Sequence, residues 1–147
     1  MIELVVVISI LGILASIAIP RFAALQTDAR ISKLNGALGS IKAGAALARS
    51  IQLTQGLQPN SPVQMEGVII NMVNGYPAAG SIAAAAGIAS NEYSVGAILS
   101  GASQVRVAAD NAHPNCAVTY TEAAAGAAAS FSNALDPSNA TDRSNCS

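Results

Sequence analysis

From Leu4 to Ile19 the chain carries no charge, and only Ser9, Gly12 and Ser16 interrupt a series of Val, Ile, Leu and Ala. A segment apolar on every side predicts a helix for a membrane or the interior of an assembly, not one with a single buried face. Sixteen residues make about 24 Å of helix, short of the ~30 Å hydrocarbon core, and Met1, Ile2 and Phe22 extend it to a marginal span. A cleavable secretory signal is the commonest other source of such a start. It carries a basic residue ahead of the apolar run, however, and here Glu3 stands in that place.

Beyond Pro20 the pattern becomes amphipathic. Phe22, Leu25 and Ala29 fall on one stripe, and Leu34, Leu38, Ile41, Ala45 and Ala48 recur at steps of three and four. This predicts a helix continuing to about residue 52. Gly36, Ser40 and Gly44, with Leu47, are expected on the opposite face, about two residues out of phase with that stripe. Glycine inside a helix costs about 1 kcal/mol relative to alanine, so Gly36 and Gly44 imply close approach of another helix backbone. Ser9, Gly12 and Ser16 form a similar small-residue stripe in the apolar half. The domain reading is therefore 1–21 as an apolar helix half, 22–52 as an amphipathic half, and 53–147 as a head.

In the head, QGLQPNSP is a loop and VQMEGVIINMV predicts one or two strands ended by the turn signal NGYP. SIAAAAGI predicts a short helix. QVRVAAD, CAVTYTEA and the stretch around AASFSNAL predict three further strands, with NAHPN as a connector. DPSNATDRSNC is expected to be a polar loop tied back by Cys146. The fold class is α+β: a long N-terminal helix on a small antiparallel sheet, with a disulfide-closed C-terminal loop.

Composition sharpens this picture. The 147 residues include only seven Lys and Arg and eight Asp and Glu, no Trp, and a mean hydropathy of +0.45. A free soluble monomer of this size is rarely so apolar, which implies a surface covered by membrane or by other subunits. The charge is divided: Pro20 to Ser50 holds five bases and one acid, and the chain beyond Ser50 holds six acids and two bases. A basic stem and an acidic head are expected to attract each other between neighbouring copies, in preference to nucleic acid or lipid phosphate.

Cys116 and Cys146 are the only cysteines, and beside an apolar start they read as one disulfide formed in an oxidising compartment. It closes a loop of about 30 residues, worth roughly 3–4 kcal/mol on the chain-entropy estimate. No metal site is expected, because the spacing fits no zinc pattern and His113 is the single histidine. His113 lies in a loop signal with no nucleophile motif beside it, the glycines form no phosphate-cradling loop, and no cofactor or enzyme activity is expected. Asn139 and Asn145 each begin a formal glycosylation sequon.

The opening MIELVVVISILGILASIAIPRF resembles the N-terminal signature of type IV pilins and pseudopilins, with Ile2, Glu3, Leu4, the Val run, Gly12 and Pro20 matching it position by position. PRFAALQTDARISKLNGALGSIKAG, MVNGYP and CAVTYTEAA look like mannose-sensitive haemagglutinin-type pilins. The strong resemblance covers about the first 50 residues. The family's mature chain begins with an N-methylated Phe after a short basic leader ending in Gly, whereas this chain has Met1 where Leu is usual. A basic leader ahead of Met1 would also settle the orientation, since the bases after the span and the cysteines otherwise argue for opposite sides.

The resemblance implies a role for three residues. Glu3 would face the amino terminus of the neighbouring subunit and act as a register pin, because a carboxylate in hydrocarbon is costly until it gains a partner. Gly12 and Pro20 would allow the helix to unwind between them in a filament, the alternative being a kink at Pro20. The expected function is that of a major pilin, a structural subunit of a helical surface filament for adhesion or motility. Its implied partners are further copies of itself, the inner membrane before assembly, a prepilin peptidase and the pilus assembly machinery. A type II secretion pseudopilin is the alternative, which often lacks the C-terminal disulfide and often carries a calcium loop. A membrane-anchored binding module is the third reading.

Overall fold

A computed structural model describes residues 1–97 and 103–147. One helix, α1 (Ile2–Thr54), runs unbroken through both halves of the predicted stem, Gly12 and Pro20 included. Its end is set by the chain beyond it. Gly56 adopts a positive φ of 63°, and the buried Gln52 side chain donates from Nε2 to the carbonyls of Gln58, Pro59 and Ser61 at 3.0–3.1 Å. These bonds fold the Pro-containing loop back onto the last turn.

Two tight hairpins follow. Strands β1 (Val63–Met65) and β2 (Val68–Ile70) pair antiparallel around Glu66-Gly67, and β3 (Met72–Val73) and β4 (Tyr76–Pro77) pair around Asn74-Gly75. Both central residues of each turn have positive φ, from 49° to 87°, the conformation whose twist matches two-residue hairpins and which Asn-Gly favours. NGYP is thus half turn and half strand, since Tyr76 and Pro77 pair with Val73 and Met72. The short helix α2 (Ile82–Ala85) falls where SIAAAAGI predicts it.

The second part of the head is a four-stranded antiparallel sheet in the order β5 (Ser94–Ala97), β6 (Gln104–Ala108), β7 (Ala117–Thr121), β8 (Ser130–Phe131). Among the described residues the head therefore contains three small antiparallel sheets where one is expected, and β5 is not anticipated by the sequence pattern. In β6 and β7 the alternation is regular. Val107 pairs with Val118 and Val105 with Tyr120 on the face turned to the core, while Arg106 and Thr119 pair on the other.

The core lies between α1 and the head. Ile31, Leu34, Ala37, Leu38, Ile41, Ala45 and Ala48 of α1 are buried with Ile70, Ile82, Val107, Val118 and Tyr120. The predicted stripe from Leu34 to Ala48 is this face. Phe22, Leu25 and Ala29, in contrast, stay exposed, because the head does not reach back beyond Thr27, the first buried residue of the helix.

The C-terminal segment is corrected by the structure. Residues Ala140–Cys146 form a helix, α3, not a polar loop. Asn139 caps it, its side-chain oxygen accepting from the backbone N–H groups of Thr141 and Asp142 at 2.9 and 3.3 Å. The disulfide Cys116–Cys146 joins the last residue of α3 to the start of β7, and both cysteines are fully buried. Asn35 clamps the preceding segment to the stem, donating to the Leu135 carbonyl and accepting from the Leu135 N–H, each at 2.8 Å.

Candidate assembly interface

The apolar half of α1 extends free of the head. Its most hydrophobic 18-residue window has a mean hydropathy of 2.7 and no buried residue, so one helix is long and apolar enough to cross a membrane. The physical reason is simple, since the head's core spans only the helix from Thr27 to Gln52. Large aliphatic side chains ahead of it have nothing of their own chain to pack on.

Glu3 stands in the first turn of α1, where a carboxylate is favoured by the positive end of the helix dipole, and among the described residues it has no ion-pair partner. The Ser9 hydroxyl donates to the Val5 carbonyl at 2.8 Å and the Ser16 hydroxyl to the Ile13 carbonyl at 2.7 Å. Both serines are therefore satisfied within the helix and present small, non-demanding surfaces. Gly12 has open space where a Cβ would be. Ser9, Gly12 and Ser16 thus form a shallow exposed face opposite bulkier residues. Pro20 is accommodated inside the helix and Arg21 follows it, exposed.

The second small-residue stripe divides. Gly36 and Ser40 are exposed, and a Cβ on Gly36 would meet nothing within 4 Å. Gly44 is buried, and a Cβ there would lie 2.5 Å from the Ala85 carbonyl oxygen. The helix backbone that approaches Gly44 is α2 of the same chain.

The basic stem is mostly used by its own head. Arg30 pairs with Asp110 at 3.3 Å and donates to the Cys146 carbonyl at 3.0 Å. Lys33 donates to the carbonyls of Glu92 and Ala109 and sits 4.4 Å over the Tyr93 ring. Lys42 and Arg49 lie over Phe131 and Tyr76, at 5.9 and 4.3 Å. Asp28, the one acid of this region, pairs with Arg143 of α3. Among the described residues Arg30 is the one stem base paired with an acid of the head; Lys33 meets carbonyls and a ring, and Lys42 and Arg49 meet rings.

One cluster of ionisable groups lies at the foot of the head. Asp110 Oδ1 is 2.7 Å from His113 Nδ1 and accepts from the His113 backbone N–H at 2.8 Å. The hydrogen bond from the His113 ring holds the Asp110 carboxyl below its ordinary value. An open cleft of about 720 Å³ beside it is lined by Arg30, His113, Arg143 and Ser147, and its two arginines are already paired to Asp110 and Asp28. Among the described residues no three His, Cys, Asp or Glu side chains are grouped to hold a metal ion. Both cysteines are oxidised to the disulfide. What the geometry offers is an exposed apolar helix half joined to a head with its own core. No protein-family model, curated protein or solved structure matches the chain.

Proposed function

We propose that the chain is a structural subunit, a major pilin, of a type IV pilus-like helical filament serving adhesion or motility. The observation that carries this reading is the apolar half of α1, in which no residue is buried, with Glu3 its only charge before Arg21, joined to a head that has a core of its own. The exposed length matches what a subunit needs if it waits in the inner membrane and then exchanges lipid for neighbouring helices. The opening signature, from Ile2 to Pro20, supports the same reading, and with it a prepilin peptidase and an assembly machinery as partners. The Cys116–Cys146 disulfide favours a pilin over a secretion pseudopilin and a head that matures outside the cytoplasm. No nucleic-acid role is proposed, because four of the five stem bases are engaged by the head.

A carboxylate held in hydrocarbon costs about 2.5–3.5 kcal/mol near the middle of a span and less near an end. Assembly that gives Glu3 a cationic partner recovers this cost only in the correct register. Cryo-electron microscopy of material sheared from cells making this chain tests the reading. Thin filaments whose central helices fit residues 2–54 are expected, and a chain confined to membrane with no filament would overturn it. In the same cells Glu3→Ala should leave membrane content and disulfide unchanged while suppressing filaments.

A further inference from the structure

Lys42 and Arg49 stand two turns apart on one face of α1, so about 10 Å separates them along the helix. Each lies over a ring, Lys42 Nζ 5.9 Å from the centre of Phe131 and the Arg49 guanidinium 4.3 Å from that of Tyr76. A ring holds a cation but brings no counter-charge, and among the described residues neither base has an ion pair or a hydrogen bond. With Leu53, which is 67% exposed, they line an open groove of about 530 Å³. Two positive charges beside apolar side chains suit a carboxylate carried on an apolar element.

Glu66 has that form. It is exposed at the turn of the β1–β2 hairpin, and its carboxylate has no hydrogen bond or ion pair among the described residues. Val68 and Ile69 behind it are 48 and 65% exposed. Glu66 and Val68 border Leu47 and Ile51 of α1. At about 100° per residue, Leu47 and Ile51 lie roughly 150° around the helix from Lys42, Arg49 and Leu53, with one set on each side of the buried line Ile41, Ala48 and Gln52. Hairpin and groove therefore occupy opposite flanks of the same length of stem, and Glu66 cannot reach the groove of its own copy.

We propose that the Glu66 hairpin of one copy docks in the Lys42–Arg49 groove of a second, with the two stems parallel and side by side. The contact rests on the filament reading and names a meeting of heads that this reading leaves open. Its level along the stem is set by the residues that border each surface. Copies standing level bring Glu66 to Arg49, and an axial step of about 10 Å brings it to Lys42. Either arrangement keeps the apolar halves, about 30 Å long, overlapping for about 20 Å or more. Because the two surfaces face away from each other, the contact does not close as a two-fold dimer. Each copy keeps a free hairpin on one side or a free groove on the other, which recruits a further copy, and an axial step turns the resulting ring into a helix.

The first test needs no rescue. Filaments of the full-length Arg49→Lys variant, which offers an amine at both positions, are treated with a carbodiimide, which condenses a carboxylate with an amine in contact. An amide from Glu66 to Lys42 or to the introduced lysine is expected in filaments and not in the same chain dispersed in detergent. Filaments in which Glu66 forms neither amide, or dispersed chains that form it equally well, overturn the contact. In cells, Glu66→Lys alone, and Lys42→Glu with Arg49→Glu, should each cut filament yield about fivefold or more, and all three together should restore it to within about threefold of wild type. Membrane content and the Cys116–Cys146 disulfide report insertion and folding. Normal yield from Glu66→Lys, or a triple variant no better than the poorer of its parents, overturns the pairing. Wild-type cells without filaments would sink the filament reading and this contact with it, whereas filaments lacking the amide sink this contact alone.

Discussion

Gly44 of α1 and Ala85 at the end of α2 meet backbone to backbone, with only 2.5 Å between the position of a Cβ on Gly44 and the Ala85 carbonyl oxygen. The atoms in the way are main-chain atoms of Ala85 and Ala86, which cannot swing aside as a flexible side chain would. Gly44→Ala should therefore destabilise the full chain in detergent by about 1–3 kcal/mol through overpacking. Gly36→Ala has open space and should stabilise it by about 0.5–1 kcal/mol, through helix propensity alone. Urea unfolding followed by circular dichroism compares the two, and equal effects would refute the close approach.

Tyr120 is buried beneath the stem, and its hydroxyl donates to the Pro77 carbonyl at 2.6 Å. Tyr120→Phe leaves that carbonyl unpaired and should cost about 1–3 kcal/mol at neutral pH. Burial, with Glu122 and Tyr76 adding to it, pushes the phenol well above its ordinary value of 10.0. The folded chain then holds its proton where the unfolded chain releases it, so stability falls as pH rises past 10.0. A stability profile against pH should flatten on the alkaline side in Tyr120→Phe, although that variant is the weaker one at pH 7.

Asp110 holds both Arg30 and His113, and its carboxyl is held below the ordinary value of 3.8 by the His113 ring. The side chain is 42% exposed, so Asp110→Asn should cost less than about 1 kcal/mol. A depressed folded value means that this stabilisation is complete above 3.8 and is lost as pH falls through the folded value below it. Acid unfolding of wild type and Asp110→Asn should therefore differ by a constant amount above about pH 5 and converge at lower pH.

Replacing Cys116 and Cys146 together by serine should lower stability by roughly 3–4 kcal/mol on the chain-entropy estimate. The loss should concentrate in the C-terminal segment, because α3 is tied to the rest of the chain chiefly by the disulfide, the Arg143–Asp28 pair and the Arg30 bond to the Cys146 carbonyl. Hydrogen exchange in Ala140–Cys146 should rise far more than in α1, and uniform loss of protection would refute this picture.

What the sequence by itself determined follows from local rules. A run of aliphatic residues without charge makes an apolar helix wherever it is placed, and a three-and-four repeat from Leu34 to Ala48 makes an amphipathic one. Asn74-Gly75 announces its hairpin because few other dipeptides accept two positive φ angles. Two cysteines admit one intramolecular pair. The tertiary structure decided everything that depends on who lies opposite. Gly36 and Gly44 are the same residue in the same helix, yet one faces solvent and the other the Ala85 carbonyl. Phe22 and Leu25 fit the core stripe by period but lie beyond the head's reach. Residues 140–146 are rich in poor helix formers, so the tertiary ties already named hold them helical, among them Arg143–Asp28, a pair 115 residues apart in sequence. The basic stem and acidic head were visible as charge, but Coulomb attraction has no memory of chain position. Only the folded arrangement showed Arg30 paired with an acid of its own head, Lys33 set against carbonyls and a ring, and Lys42 and Arg49 against rings alone.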